Sequence, residues 1–461
     1  GRHMTALKHR LGSFEIAVLI FIGVSFLARA FTAYLLPMSG DEALYWTYSK
    51  NLAFGYLDHP GMNAFMIRIG TFVFGDTPFG ARIATLLISL PATWAMWVSA
   101  QILFKSARMG AVAALLFTLT VAISVGSFIA TSDALVMAAS SFILYFLVKL
   151  MHTGQGKWWI AIGIAIGLGM LSKYTTVFLV FGLLVWLVLS KRHRKWLINP
   201  WSLAGGLISA LIFAPVIMWN IEHDWISLVY QSSRMVVHDW TLKFFGEFIL
   251  SQVGFLTPPI FILGCIGLFS ALKSNEDNRD ALILIVCLTG PIFAYFAWHS
   301  LHGRVQGNWL QAGYPAFVMA ATFAVHTWQD NKGEQSASPR RVTQWSYRLA
   351  APFGAGLALL IYVQACFGVF HIGRKDPATR EIAHNFAPIS MAVEQERVSH
   401  GVPVIITSDY TTLAWLRFYG AKSAPIYQIT EAVRWINEPK LGAATFEQPL
   451  IYVCRDGCSD F

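Results

Sequence analysis

Residues 14–46 read FEIAVLIFIGVSFLARAFTAYLLPMSGDEALYW. The apolar run over 14–36 approaches the roughly 20 residues that an α-helix needs to cross a bilayer. It is long and lacks a cleavage site, so it reads as a first membrane span rather than a signal peptide. Directly beyond it stand two adjacent carboxylates, Asp41 and Glu42, then Tyr45 and Trp46. Apolar runs closed by charged or Pro/Gly-rich breaks recur along the chain. Further spans are expected at 80–104, 109–128, 134–150, 158–172, 174–190, 201–220, 246–271, 281–298, 309–328 and 349–368, about eleven with the first. The runs 158–172 and 174–190 are short, and their join at Ser172-Lys173-Tyr174 also fits a re-entrant turn.

Composition supports lipid as the solvent. Of 461 residues, 56% are hydrophobic and 13% charged, with mean hydropathy +0.53, whereas soluble domains carry about 25% charged residues. The net charge of +9 does not imply nucleic acid, because its distribution follows the positive-inside rule. With a cytoplasmic N-terminus, that side receives Lys8, Arg10, Lys105, Arg108, Lys149, Lys157 and the Lys191–Lys195 cluster. Lys273, Arg279, Lys332, Arg340, Arg341 and Arg348 fall there too. The opposite side receives few cations, Lys173, Arg234 and Arg304 among them. Gly1 to His3, ahead of Met4, read as an expression scar.

An odd number of spans puts the segment from about 370 to 461 outside the cytoplasm, as a small α/β domain. Strands are expected at 404–407 and 450–453 and a helical pattern at 414–419. Cys454 and Cys458 lie there, where an oxidising compartment allows a disulfide and two free thiols are the alternative. Cys265 and Cys287 sit within spans as packing residues.

Ionisable groups at a membrane are costly, so those gathered at one face call for a function. Asp41 and Glu42 suit either proton removal from a hydroxyl or binding of a divalent metal ion; the structural alternative is a helix N-terminus. The aromatic loop that follows suits interfacial helices and holds the turn Asp58-His59-Pro60-Gly61. Asp133 opens the fourth span as a carboxylate or an N-cap. Lys173 stands at a helix break, as a phosphate contact or a snorkelling lysine. The stretch His299 to Trp309 gathers His302, Arg304 and Asn308, and its cations suit phosphate. Each signal is weak alone; their convergence on one face is the stronger observation.

Taken together, Gly40-Asp41-Glu42, the Asp58–Gly61 turn, Asp133, Leu171–Tyr174 and Asn308-Trp309 resemble the GT-C membrane glycosyltransferases. More narrowly, they look like the superfamily of protein O-mannosyltransferases and bacterial lipid A aminoarabinose transferases. The resemblance implies a mostly α, polytopic fold comprising a catalytic membrane region over 4–369 and an outer α/β domain over 370–461. It implies transfer of a sugar from a polyprenyl-phosphate carrier to an acceptor at the periplasmic face of the inner membrane, the acceptor being a glycolipid or lipopolysaccharide. On this reading Asp41 is the general base with Glu42 beside it, and Asp133 is the second carboxylate. Lys173, Arg304, Asn308, His59 and His302 serve the carrier phosphate. No nucleic acid is a partner, and a divalent metal held by Asp41, Glu42 and Asp133 is left open. Relatives often carry Lys-Pro-Pro where this chain has His59-Pro60-Gly61, which exchanges a fixed cation for a titratable one. Competing readings are a protein O-glycosyltransferase and a flippase of lipid-linked sugars; a flippase would place its charges near the bilayer midplane and show repeated halves.

Overall fold

The computed structural model describes residues 10–275, 277–330, 337–373, 386–420 and 424–455. Gly1 to His3, Lys8, Lys332 and Cys458 lie outside them. Each expected apolar run is helical. In lipid the backbone has no water to bond, and a helix satisfies its polar groups internally. Helix α1 (Ser13–Leu35) turns large apolar side chains such as Ile20, Leu27 and Phe31 outward, as lipid requires. Beyond the first span lie α2 (Gly40–Ser49) and α3 (Met62–Phe74). The bundle continues with α4 (Pro78–Phe104), α5 (Ala107–Leu119), the short α6 (Val121–Ser124), α7 (Ser132–Thr153), α8 (Trp158–Ser172), α9 (Thr176–Leu189) and α10 (Pro200–Glu222). Then come α11 (Ile226–Arg234), α12 (Phe245–Leu256), α13 (Pro258–Lys273), α14 (Arg279–Ser300), α15 (Tyr314–Asp330) and α16 (Ala337–Phe367).

Among the described residues six helices are long and apolar enough to cross a membrane, or eight if two bent pairs are each one span. The chain is therefore a mostly helical, multi-pass membrane protein. The expected run 246–271 is not one straight helix. It breaks by 103° between α12 and α13, where Pro258 and Pro259 follow Thr257. A residue before proline is driven out of the α region, and Thr257 takes φ 69°, ψ 147°. The run 109–128 likewise bends by 66° at Thr120, whose ψ of 143° is extended.

The C-terminal segment forms a parallel sheet ordered β2-β1-β3, from β1 (Val404–Thr407), β2 (Ile426–Gln428) and β3 (Leu450–Val453). The central β1 is buried along its length. Two helices accompany it, α17 (Phe386–Ser399) and α18 (Tyr410–Tyr419). The α18 helix docks on α2: Trp415 and Phe418 join Met38, Ala43 and Trp46 in one apolar cluster. Trp415 Nε1 donates to the Met38 carbonyl and the Tyr419 hydroxyl accepts from the Met38 N–H, both at 2.9 Å. A Cβ at Gly40 would lie 2.6 Å from Thr411, so glycine permits this approach.

Candidate active site

A cavity of about 680 Å³ opens where α2, the Asp58–Gly61 turn, α9, α11 and α14 meet the C-terminal segment. Its wall is mixed. Asp41, Lys173, Arg234 and Arg434 bring charge, while Val177, Phe178 and Phe296 give an apolar side.

The adjacent acids of α2 have separate surroundings. Successive helical residues are rotated by about 100°, so neighbours face different ways. Glu42 turns inward and closes a capping box with Ser39. Both its oxygens meet Arg82 at 2.7 Å, and it accepts from the Ala130 N–H at 3.0 Å. Burial alone would raise its carboxyl, but the charge and hydrogen bonds of Arg82 hold it below the usual carboxylate range. Asp41 instead is exposed and lines the cavity. The charge of Asp41 is felt at Tyr45 and Tyr410, whose hydroxyls burial pushes up, Tyr410 to about 12; both stay proton donors.

Lys173 leaves α8 in an extended conformation and points at Asp133, Nζ to Oδ1 2.5 Å. Asn308 Nδ2 donates to the other oxygen at 3.0 Å. Lys173 and Asn308 line the cavity, with Asp133 behind them. His59 also lines it, and burial drives its imidazole down to about 4 against the pull of Asp58. It is therefore neutral near pH 7.

Two residues expected at the carrier phosphate lie elsewhere. Arg304 is exposed and reaches Glu247 at 3.5 Å, outside the cavity lining. His302 is buried between Trp298 and Trp240, at ring separations of 4.7 and 4.4 Å, with Nδ1 3.0 Å from the His238 carbonyl. It does not line the cavity. The trio Asp41, Glu42 and Asp133 also fails as a metal site. Arg82 occupies Glu42 and Lys173 occupies Asp133, and no three His, Cys, Asp or Glu side chains converge among the described residues.

Three cavity residues were not expected from the sequence. Asp58 is buried and accepts from the Tyr48 hydroxyl at 2.6 Å and from Arg434 at 2.5 Å. Burial would raise its carboxyl, but Arg434 holds it low. Arg434 comes from the C-terminal segment and also meets Glu431 at 3.1 Å. Arg234, at the end of α11, lies over the Trp309 ring at 5.1 Å and has no carboxylate partner among the described residues. A turn acid beside a histidine was the one available signal for Asp58, since a buried carboxylate requires a cation.

A polytopic helical bundle with an acid- and cation-lined cavity at one end defines a membrane protein built around a polar site beside lipid. Residues 58–219 match the family described as dolichyl-phosphate-mannose-protein mannosyltransferase. The chain is 25% identical over 295 residues to lipid A galacturonosyltransferase RgtD of Rhizobium johnstonii, covering 62% of this chain and 60% of that protein. It is 25% identical over 258 residues to an undecaprenyl phosphate-α-4-amino-4-deoxy-L-arabinose arabinosyl transferase of Pseudomonas fluorescens, covering 52% and 45%. The matches thus span less than two thirds of these relatives. The fold resembles that of ArnT from Cupriavidus metallidurans bound to undecaprenyl phosphate, with TM-score 0.67 at 16% identity, over 95% of this chain and 89% of that one. The chain is thus similar in sequence to membrane glycosyltransferases of these kinds over part of its length, and its fold is that of ArnT.

Proposed function

We propose that this protein transfers a sugar from a polyprenyl-phosphate carrier to a lipid A or other lipopolysaccharide acceptor at the periplasmic face of the inner membrane. The observation that carries the reading is the cavity itself. The exposed carboxylate Asp41 shares it with Lys173, Arg234, Arg434 and a second exposed acid, Glu431, which is paired with Arg434, next to an apolar wall suited to a lipid carrier. The names of the relatives, lipid A and undecaprenyl-phosphate sugar transferases, agree with this class of donor and acceptor.

In the proposed reaction the acceptor hydroxyl oxygen attacks the anomeric carbon as the bond from that carbon to the phosphate oxygen breaks. The electron pair leaves with the phosphate and the hydroxyl proton passes to Asp41, so one displacement inverts the anomeric centre. The phosphate is already a leaving group. The protein must align the reactants and stabilise charge on the departing group. Arg234, with no carboxylate to neutralise it, is the cation best suited to that task; Lys173, held by Asp133 and Asn308, is the second. Glu42 acts at one remove, by fixing α2 and so the direction of Asp41. No metal takes part in any step described.

Eleven spans, a membrane region over 4–369 and an outer domain over 370–461 complete the proposal. The Lys/Arg bias and the folded sheet of the C-terminal segment support them. Cysteine labelling should find the Lys191–Lys195 loop cytoplasmic and the C-terminal segment periplasmic.

The deciding experiment is Asp41→Asn. Loss of a general base lowers the rate by about 10²–10⁴-fold, while carrier binding and thermal stability should stay near wild type. Near-normal turnover from a purified polyprenyl-phosphate donor would remove Asp41 from the chemistry. Mass spectrometry of lipid A, core and membrane proteins from a deletion strain identifies the acceptor; loss of sugar from a protein fraction alone would favour a protein O-glycosyltransferase.

A further inference from the structure

A second cavity, of about 410 Å³, lies along α9 and meets the lining of the first at Val177. It exists because the helices around it pair off. Helix α10 packs on α8 so closely that a Cβ on Gly163 would lie 2.2 Å from the Gly205 carbonyl oxygen. Helix α9 packs on α14, where a Cβ on Gly182 would lie 2.1 Å from the Cys287 carbonyl oxygen. A cleft is left between α9 and α10, floored by α8. Leu183, Leu187, Leu203 and Phe213 help to line it. Its two serines offer no unmet polar group: Ser209 Oγ donates to the Gly163 carbonyl at 2.7 Å and Ser202 Oγ to the Asn199 carbonyl at 3.0 Å. Such a largely apolar lining suits a hydrocarbon chain.

The mouth of the cleft has a different chemistry. The loop joining α9 to α10 contributes Trp196 and Leu197 to the lining and presents Lys191, Arg192, Arg194 and Lys195 to solvent. None of these four has a carboxylate partner among the described residues. The nearby acid Asp280 is engaged with Ser190 at 2.9 Å and His193 at 3.6 Å. Arg194 Nε donates to the Val188 carbonyl at 2.6 Å, capping α9. The cleft runs along α9 from Leu187 to Val177, ten residues or about 15 Å at the helical rise. That is half of the roughly 30 Å hydrocarbon core, the depth of the chains of one leaflet.

We propose that the α9–α10 cleft is a binding site for an anionic phospholipid of the cytoplasmic leaflet, one acyl chain in the cleft and the phosphate headgroup on the Lys191–Lys195 loop. Charge complementarity selects the occupant, since clustered cations at a membrane surface attract anionic lipid. The inner end of the cleft is Val177, which also lines the proposed active site. A lipid seated here touches the back of that wall without entering it.

The test uses full-length protein in nonionic detergent and native mass spectrometry. The probes are dioleoyl phosphatidylglycerol, dioleoyl phosphatidylcholine and inorganic phosphate. Wild type should retain phosphatidylglycerol in preference to phosphatidylcholine. Neutralising three cations together (Lys191→Gln, Arg192→Gln, Lys195→Gln) should reduce that preference by about a hundredfold, from the strength of each basic contact. Gly206 lines the cleft and a Cβ there meets nothing within 4 Å, so Gly206→Trp should fill the space and abolish retention of the lipid. A phosphatidylglycerol carrying a photoreactive group at mid-chain should label α9 and α10 of the wild-type protein, which makes the test independent of any variant's folding. Equal affinity for the two lipids, competition by inorganic phosphate, wild-type affinity in Gly206→Trp, or labelling away from α9 and α10 would each overturn the proposal.

Discussion

Replacing Glu42 by Gln separates the two adjacent acids most sharply, because it changes charge without changing shape. Arg82 is fully buried, and its two strongest contacts are the oxygens of Glu42 at 2.7 Å. Removing one partner of a buried pair typically costs about 3–5 kcal/mol, because the other charge is left without compensation. Here Arg82 keeps three acceptors, the carbonyls of Ala33, Leu36 and Pro37 at 2.9, 2.5 and 2.7 Å. A glutamine oxygen can still accept one further bond. The expected loss is therefore at the low end, about 3 kcal/mol. The assay is reversible unfolding of the full-length protein in mixed anionic and nonionic micelles at pH 7, followed by tryptophan fluorescence. The folded pKa of Glu42 lies below its ordinary value. Its stabilisation is thus fully present above the unfolded carboxylate pKa of about 4.3, and is lost as pH falls through the lower folded value. The gap between variant and wild type should accordingly shrink on acidification below that point. A Glu42→Gln protein within about 0.5 kcal/mol of wild type but devoid of transfer activity would refute the reasoning, and would return Glu42 to the chemistry.

Three other outcomes follow from the site. Arg434→Met should destabilise the protein by about 3–5 kcal/mol, since Asp58 would stay buried without its cation; adding Asp58→Asn should recover most of the loss, measured as a coupling energy in a double-mutant cycle. Arg234→Gln should raise the KM for the polyprenyl-phosphate donor at least tenfold, an effect of about 1.4 kcal/mol, whereas Arg304→Gln should leave steady-state kinetics unchanged. The imidazole of His59 is lowered to about 4, so the stability gained by keeping it neutral is present above about 6.5 and is lost as pH falls toward 4. His59→Gln should flatten, though not abolish, that decline in thermal unfolding, because Asp58 titrates with the same sign.

Much of the membrane region was legible because bilayer physics writes itself into sequence. Apolar runs of spanning length must be helical. The breaks were harder to read. Thr257 ahead of two prolines splits what hydropathy shows as one run, since a hydropathy average does not register a dihedral angle. Asp41, Lys173 and Asn308, which line the cavity, and Asp133, bonded to the last two, belong to motifs at helix ends, where a short pattern fixes local geometry. Arg304 and His302 share a polar stretch with Asn308 yet lie outside the cavity lining. In an irregular segment nearness in sequence does not set side-chain direction: Arg304 turns to Glu247 and His302 packs between indoles.

The residue least legible of all, Arg434, gives the C-terminal segment its part in the site. It lies in a single short 3₁₀ turn (Ala432–Trp435) with no periodic pattern around it, and its partner Asp58 is 376 positions away. No local propensity could report such a pair. Its physics is nonetheless compelling once both ends are seen. Asp58 is buried among Tyr48 and Tyr56 in the aromatic loop, so its charge depends on a cation arriving from elsewhere. Asn437 adds a second tie, donating to the Gly55 carbonyl at 2.8 Å and accepting from Trp219 Nε1 at 3.0 Å. The C-terminal segment therefore supplies the charge that keeps the Asp58–Gly61 turn folded, and that turn carries His59 into the cavity. Withdrawal of Arg434 would leave Asp58 buried without its cation next to His59, so the C-terminal segment and the cavity wall are joined through one buried ion pair.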